Sequence, residues 1–274
     1  MGSVIHQSDR ALVCHAPWQE LLCEVDALIV DAPYSERTHK GHADGAVTAN
    51  RAGDWSRSHA AKDAAAARVK YEASARSERK SIEYPAWSPE DVRAFVAAWA
   101  PITRGWIVSL TDHVLVPVWS QALTDAGRYV FSPLACVEPG SRVRMGGDGP
   151  AQWSCWAIVS RPKNRTFQKW GALPGAYVVP PGSGRSGNRK HGEGKPIAGG
   201  KNPWIMDRLV EHYSKPGDLV CDPCAGAGTT LASAIRAGRR ALGGDLMLEH
   251  AQLSADACKR AEAEQVPASN GGAP

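Results

Sequence analysis

The chain has 274 residues, 43% of them hydrophobic and 22% charged, enough to bury a substantial core as one domain carrying insertions. No apolar run approaches the roughly 20 residues of a membrane span, and the first residues carry neither the basic start nor the apolar stretch of a signal peptide, so a cytoplasmic protein is expected. The net charge of +4 decides little about partners, and seven cysteines, an odd number without tight repeated spacing, argue against a disulfide framework.

In chain order, the first strong strand is Asp26 to Val30, an apolar run that ends on Asp31-Ala32-Pro33-Tyr34. Residues 36–85 follow. They mix charges, glycines and an Ala-rich stretch with good helix propensity but almost no apolar stripe, and read as an inserted segment that is mobile or ordered by a partner. The stretch "SPEDVRAFVAAW" opens a helix with Ser88 as N-cap, Pro89 at the first helical position and acids in the first turn. Val92, Phe95, Val96 and Trp99 fall on one face. Strands are expected at Trp106 to Leu110, Tyr129 to Val137 and Trp153 to Ser160.

Charge concentrates beyond this point. Arg142, Arg144, Arg161, Lys163, Arg165, Lys169, Arg185, Arg189 and Lys190 stand against one acid, Asp148, a local excess that calls for a polyanionic partner. Residues 180–201, rich in Gly, Pro and basic side chains, read as a long loop. A second helix, "NPWIMDRLVEHY", starts at Asn202 and Pro203 with the stripe Ile205, Met206, Leu209, Val210 and Tyr213. The last strands are Leu219 to Asp222 and Arg240 to Asp245, and residues 266–274 read as a disordered tail. Strands alternating with helices of this length imply an α/β fold with a mostly parallel sheet and helices on both faces.

Between the last two strands runs Asp222-Pro223-Cys224-Ala225-Gly226-Ala227-Gly228-Thr229-Thr230. Gly226 and Gly228 allow a tight turn and close approach of a ligand to backbone, Thr229 and Thr230 can cap the helix, and its N-terminus favours electron-rich groups. Asp245 stands where the next strand's carboxylate would meet ribose hydroxyls. A nucleoside-containing cofactor is the natural reading, although the glycine pattern alone also fits a dinucleotide or a purely structural turn. No lysine follows the glycines, which excludes a phosphate loop.

Read together, Asp31-Ala32-Pro33-Tyr34 and the 222–230 segment resemble the catalytic and S-adenosylmethionine-binding motifs of the amino-group DNA methyltransferases. Their patterns run Asp-Pro-Pro-Tyr and Asp-Pro-Phe-x-Gly-x-Gly-Thr-Thr. "HGEGKP" at 191–196 is similar to the His-Pro-Thr-x-Lys-Pro segment that precedes the cofactor motif there, which places Lys195 and Pro196 with the cofactor residues Asp222, Pro223, Ala225, Gly226, Gly228, Thr229, Thr230 and Asp245. A catalytic motif ahead of the cofactor motif is the order of the beta class. Three positions depart from the pattern: Ala32 for the first proline, Cys224 for the aromatic, and His15 where the family carries an acid.

The resemblance implies a Rossmann-like methyltransferase fold and S-adenosylmethionine as cofactor. It implies double-stranded DNA as partner, no membrane, a homodimer left open, and a bacterial or phage origin. Residues 137–192 would form a basic target-recognition region whose nine cations bind DNA. In such an enzyme Asp31 and the Ala32 carbonyl each accept an N–H of the target amine, Pro33 stiffens the turn, and Tyr34 offers a face to a base rotated out of the duplex. Adenine is the expected target, because Asp rather than Ser opens the tetrapeptide. A cytosine amino-methyltransferase, an RNA methyltransferase and an inert DNA-binding relative are the alternatives. Cys221-x-x-Cys224 and His39-x-x-His42 are not read as metal sites, since no second pair completes a ligand set. Most of the ten tryptophans are assigned to the core, with Trp55, Trp153, Trp156 and Trp170 beside basic segments.

Overall fold

The computed structural model describes residues 2–40, 82, 84–139, 152–164, 170–181, 197 and 200–265. Its centre is a parallel sheet made of β2 (Ala11–His15), β10 (Arg240–Asp245), β9 (Leu219–Asp222), β3 (Ala27–Asp31) and β4 (Ile107–Thr111), in that spatial order. Antiparallel pairing extends both flanks: β1 (Ser3–Gln7) adds to β2, and β7 (Ser154–Arg161) adds to β4. Beyond β7 lie β5 (Tyr129–Val130) and β6 (Leu134–Val137), and β8 (Ala176–Val178) runs parallel to β6.

Helices cover both faces, as the strand and helix alternation requires. On one face α1 (Pro89–Trp99) and α2 (Val116–Asp125) bury Val92, Phe95, Trp99, Trp119 and Leu123 against Leu28, Val30 and Ile107. On the other, α3 (Pro203–Tyr213), α4 (Thr229–Arg236) and α5 (Leu248–Glu264) pack on Ala27, Ile29, Val108 and Val220. The continuous burial along β3, from Ala27 to Val30, shows why its run is apolar without interruption: both faces are dry.

The two helices with the clearest local signals form as the sequence requires. Ser88 accepts from the Asp91 amide and Asp91 returns a bond to the Ser88 amide, so both ends of the capping box are made. Asn202 caps α3 by accepting from the Trp204 amide at 3.0 Å, and the whole predicted stripe of α3 is buried. Trp87, Phe95, Trp99 and Trp119 form one aromatic cluster under α1 and α2, while Trp156 and Trp170, set beside basic segments by the sequence, pack against the two core clusters, Trp170 edge-on to Trp106.

Two readings of the sequence need correction. Tyr129 to Val137 is two strands, since β5 pairs with the far end of β7 and β6 with its start. The ladder is interrupted at 131–133, where the register against β7 shifts by one residue, although the Phe131 amide still donates to the Val159 carbonyl at 2.9 Å. Strands β1, β2 and β8 were not anticipated: they are short and lie at or near the sheet's margins, where one partially exposed face weakens the apolar pattern. The described part of 137–192 holds β7, at the strand expected over Trp153 to Ser160, and β8, both in the main sheet. Residues 41–81, most of the 36–85 insertion, and the tail 266–274 lie outside the described residues.

The chain order places β9 and β10, from the C-terminal quarter, between β2 and β3, from the N-terminus. β3 leads to α1 on one face, while β9 leads to α4 on the other. The carboxyl ends of β3 and β9 therefore flank a switch point, where open α/β sheets form a crevice.

Candidate active site

Three adjacent parallel strands end on carboxylates at this edge: β3 on Asp31, β9 on Asp222 and β10 on Asp245. All three line one cleft of about 280 Å³, together with Pro33, the glycine turn, Trp18, Trp87, Tyr84 and Lys201.

The glycine turn is held by two of these acids. Asp222 accepts from the Cys224 amide at 3.1 Å and from the Thr230 hydroxyl at 2.6 Å. Burial pushes its carboxyl up to about 7, with the charges of Asp31 and Asp245 adding to the rise. Asp245 accepts from the Gly226 amide at 2.9 Å and the Met247 amide at 2.9 Å, fixing the start of the turn and the approach to α5.

The two glycines differ in role. Gly226, at φ 53°, lines the cleft, and a Cβ there would come 2.9 Å from the tip of Ile197. Gly228, at φ 75°, faces α5, where a Cβ would lie 2.6 Å from the Ser254 Cα. Its bareness permits helix packing, while Ser254 donates to the Gly226 carbonyl at 2.9 Å. Gly228 itself is the N-cap of α4, and no side chain caps that helix; the Thr230 hydroxyl is spent on Asp222 instead. The capping expected of Thr229 and Thr230 is thus corrected by the competing buried carboxylate.

Around Asp31 the decisive neighbour is Lys201. Its ammonium lies 2.8 Å from Asp31 Oδ1 and 4.5 Å from the centre of the Tyr34 ring. Burial pushes the Asp31 carboxyl up, and the Lys201 charge and hydrogen bond pull against that rise. The Tyr34 phenol, against the Cys155 thiol, is pushed well above its ordinary value, mostly by burial. Ala32 is buried in the core under α1 and α2, and Pro33 lines the cleft.

The turn itself is clamped by Asp112, just past β4. Its Oδ2 accepts from the Ser35 amide, the Ser35 hydroxyl and the Thr38 hydroxyl, and its Oδ1 accepts from the Val114 and Leu115 amides. Burial would raise this carboxyl, yet the hydrogen bonds outweigh it and hold it below the usual range.

Sequence reasoning missed Lys201, Asp112, Tyr84 and Trp18. Lys201 had one local signal, a lysine directly before a buried N-cap, since Asn202 is 1% exposed. Asp112 had none beyond its place at a strand end. His15 ends β2 and donates from Nε2 to the Leu246 carbonyl at 3.1 Å. Lys195 and Pro196 lie outside the described residues, but Ile197 and Gly200, just after them, line the cleft.

Of the nine basic candidates, Arg161 and Lys163 are described. Arg161 pairs with Tyr129 beside Ile107, the start of β4, at the sheet edge opposite Asp31. Its guanidinium covers the rings of Tyr129 at 4.7 Å and Phe131 at 5.8 Å. The structure does not bring these two cations to the cleft. Arg142, Arg144, Arg165, Lys169, Arg185, Arg189 and Lys190 lie outside the described residues. Among the described residues no cluster of His, Cys, Asp or Glu could hold a metal ion, and no helix is long and apolar enough to cross a membrane.

Comparison with known proteins agrees with this fold. The crystal structure of the M1.HpyAVI–SAM complex superposes with a TM-score of 0.55 at 16% identity, covering 89% of this chain and 96% of that one. PvuII DNA methyltransferase, cytosine-N4-specific, gives 0.51 at 12% identity over 92% and 87% of the two chains. These likenesses establish the methyltransferase fold. In sequence, 65 residues are 35% identical to the methylase YubD of Escherichia coli (strain K12), a stretch covering 24% of this chain and only 26% of that protein. Residues 55–256, well over half of the chain, match N6_N4_Mtase, described as DNA methylase. The chain belongs to that DNA methylase family.

Proposed function

We propose that the protein transfers a methyl group from S-adenosylmethionine to the exocyclic amino group of adenine in duplex DNA. The observation that carries this reading is the meeting of Asp31 and the glycine turn in one cleft, from strands that are neighbours in space and distant in sequence. The order of those strands, with β3 before β9, supports assignment to the beta class.

The residues present fit the cofactor. Three carboxylates line the cleft, a set suited to a ligand bearing positive charge, and the bare Cα of Gly226 leaves room against backbone. Asp222, Pro223, Ala225, Gly226, Thr229, Thr230 and Asp245 would hold it, with Gly228 shaping the turn from behind; Lys195 and Pro196 are assigned to the same cofactor by the motif resemblance alone. When bound, the cofactor supplies a methyl group on a sulfonium, an electrophile that needs only a positioned lone pair.

The chain's own residues supply the positioning. The amine of a nucleobase is a poor nucleophile because its lone pair is delocalised into the ring. Asp31 accepts one N–H and the Ala32 carbonyl another, which favours a pyramidal nitrogen with an available lone pair. Pro33 limits the turn's freedom, and the Tyr34 ring steadies the rotated base. Positioning is the main source of rate. The presence of Asp at position 31 favours adenine over cytosine.

The test is incorporation of tritium from labelled S-adenosylmethionine into duplex DNA, followed by mass spectrometry of the digested nucleosides. N6-methyladenine is expected. N4-methylcytosine as the sole product would overturn the adenine assignment, and cofactor binding without any transfer would overturn the activity.

A further inference from the structure

Lys201 belongs to none of the motifs, yet it touches both groups to which methyl transfer assigns the target base. Its ammonium is 2.8 Å from Asp31 and 4.5 Å from the Tyr34 ring centre. Its backbone is anchored, because Asn202, the next residue, is the buried cap of α3. The pair is largely withdrawn from water, with the two side chains 14% and 23% exposed. A buried carboxylate facing a cleft with two further acids is costly without a cation, and the amine of a base is not there until DNA binds.

An ammonium resembles the incoming amine in the properties that matter. It is an N–H donor of similar size, it satisfies a carboxylate, and it rests on an aromatic face. Lysine's four-carbon stem can withdraw without moving the backbone, which a rigid planar guanidinium does less readily.

Resting on the methyl-transfer reading, we infer that Lys201 is a positioning residue: in the DNA-free enzyme its ammonium fills the seat of the target amine on Asp31 and Tyr34, keeps the carboxylate ionised, and yields that seat to the base.

The groups that face Asp31 support this. Tyr34 follows β3, Tyr84 precedes α1, Cys136 and Cys155 lie opposite each other on β6 and β7, and Asp222 and Cys224 belong to the glycine turn. None of them is a cation. Tyr84 is pushed up to about 12, chiefly by burial, and stays neutral, while the Cys155 thiol is brought below its ordinary value, first by its bond with Cys136. Lys201 opposes this acidic company. Burial would lower its own pKa, yet the charges of Asp31 and Cys155 and the hydrogen bond to Asp31 together raise it.

The tests are three. In single turnover with saturating cofactor, Lys201→Met should move the acidic limb of the pH–rate profile upward by about one unit or more, since Asp31 then protonates more easily, and Lys201→Arg should move it back. A limb superimposed on the wild type would overturn the electrostatic role. At pH 9, where the carboxylate is ionised in both proteins, the Met variant should have a KM for DNA equal to or below the wild type, because no ammonium has to be displaced. A higher KM there would overturn the seat-filling role. Without any dependence on activity, Asp31→Asn should free the Lys201 amine, and acetic anhydride at pH 7 should acylate it several-fold faster, read by peptide mass spectrometry. An unchanged rate would overturn the pairing. Absence of methyl transfer by the wild type would sink the proposed activity alone, leaving the acylation result to judge the ion pair.

Discussion

Asp112 and Ser35 are 77 positions apart in sequence and joined twice, through the Ser35 amide at 3.0 Å and the Ser35 hydroxyl at 2.5 Å, both to Asp112 Oδ2. With Thr38 on the same oxygen and the start of α2 on the other, this carboxylate ties the segment after Tyr34 to the end of β4. The position of Asp31 thus depends on an acid that never meets the ligand. Asp112→Ala leaves several donors without an acceptor and should cost about 3 kcal/mol in urea denaturation, along with most of the turnover. The pH sign follows from the lowered carboxyl. Its contribution is present above the ordinary value of 3.8 and is lost as pH falls through the lower folded value, so wild type and Asp112→Asn should converge in stability only under acid conditions.

Asp222 has the opposite sign. Its carboxyl is raised from 3.8 to about 7, mainly by burial, so the folded protein binds a proton that the unfolded chain has released. Stability should fall as pH rises between those values, by up to about 1.4 kcal/mol per unit, and level off above them. Asp222→Asn removes this term. Denaturation of the two proteins across pH 4 to 8 should give a difference that grows in favour of the variant; a flat difference would show that Asp222 is ionised throughout.

Gly226 and Gly228 should separate in experiment, although sequence gives them the same role. Gly228→Ala forces a side chain at φ 75° into the backbone of α5, and should cost about 3 kcal/mol of stability. Gly226→Ala meets only the flexible end of Ile197 and projects at the cleft. Its main effect should be weaker cofactor binding, at least about tenfold by calorimetry, equivalent to about 1.4 kcal/mol.

What the sequence made legible was local. The strand ending on Asp31 and the capped stripes of α1 and α3 each announce themselves within a dozen residues, the glycine turn needs the longer stretch from Asp222 to Asp245, and these form as read apart from the capping of α4. What stayed hidden was set by tertiary contact. Nothing near Lys201 tells that its partner is Asp31, and the motif match at "HGEGKP" drew attention to Lys195, six residues short of the lysine that the fold brings to the carboxylate. Asp112 reads as an ordinary strand end until Ser35 is seen beside it. Arg161 belongs to a basic excess along the chain, but antiparallel pairing of β7 with β4 carries it to the opposite edge from Asp31.

Asp31→Asn keeps the shape of the site and removes the charge that accepts the amine. Transfer should fall by at least about a hundredfold, the lower end for a lost acid–base partner. Cofactor affinity should change little, because Asp222 and Asp245, which shape the glycine turn, are untouched. A variant retaining a tenth of wild-type turnover would remove Asp31 from the reaction.

The same topology redistributes the DNA contacts proposed for the nine cations. Arg161 is held over two aromatic rings at the far edge, and Lys163 follows it out of β7. Arg185, Arg189 and Lys190, by contrast, belong to the stretch whose chain returns at Ile197 and Gly200, both lining the cleft. Phosphate contacts release counterions, and each contributes roughly 0.9 to the slope of log affinity against log salt. Neutralising Arg185, Arg189 and Lys190 together should therefore weaken binding to every duplex and flatten that slope by up to about three units. Neutralising Arg161 and Lys163 should leave the slope near its wild-type value while lowering stability slightly, through the lost cation–π contacts. Titrations of a fluorescent duplex at several salt concentrations separate the two. The reverse outcome, with the slope following Arg161 and Lys163, would place the duplex across the opposite edge of the sheet and leave the cleft facing away from it.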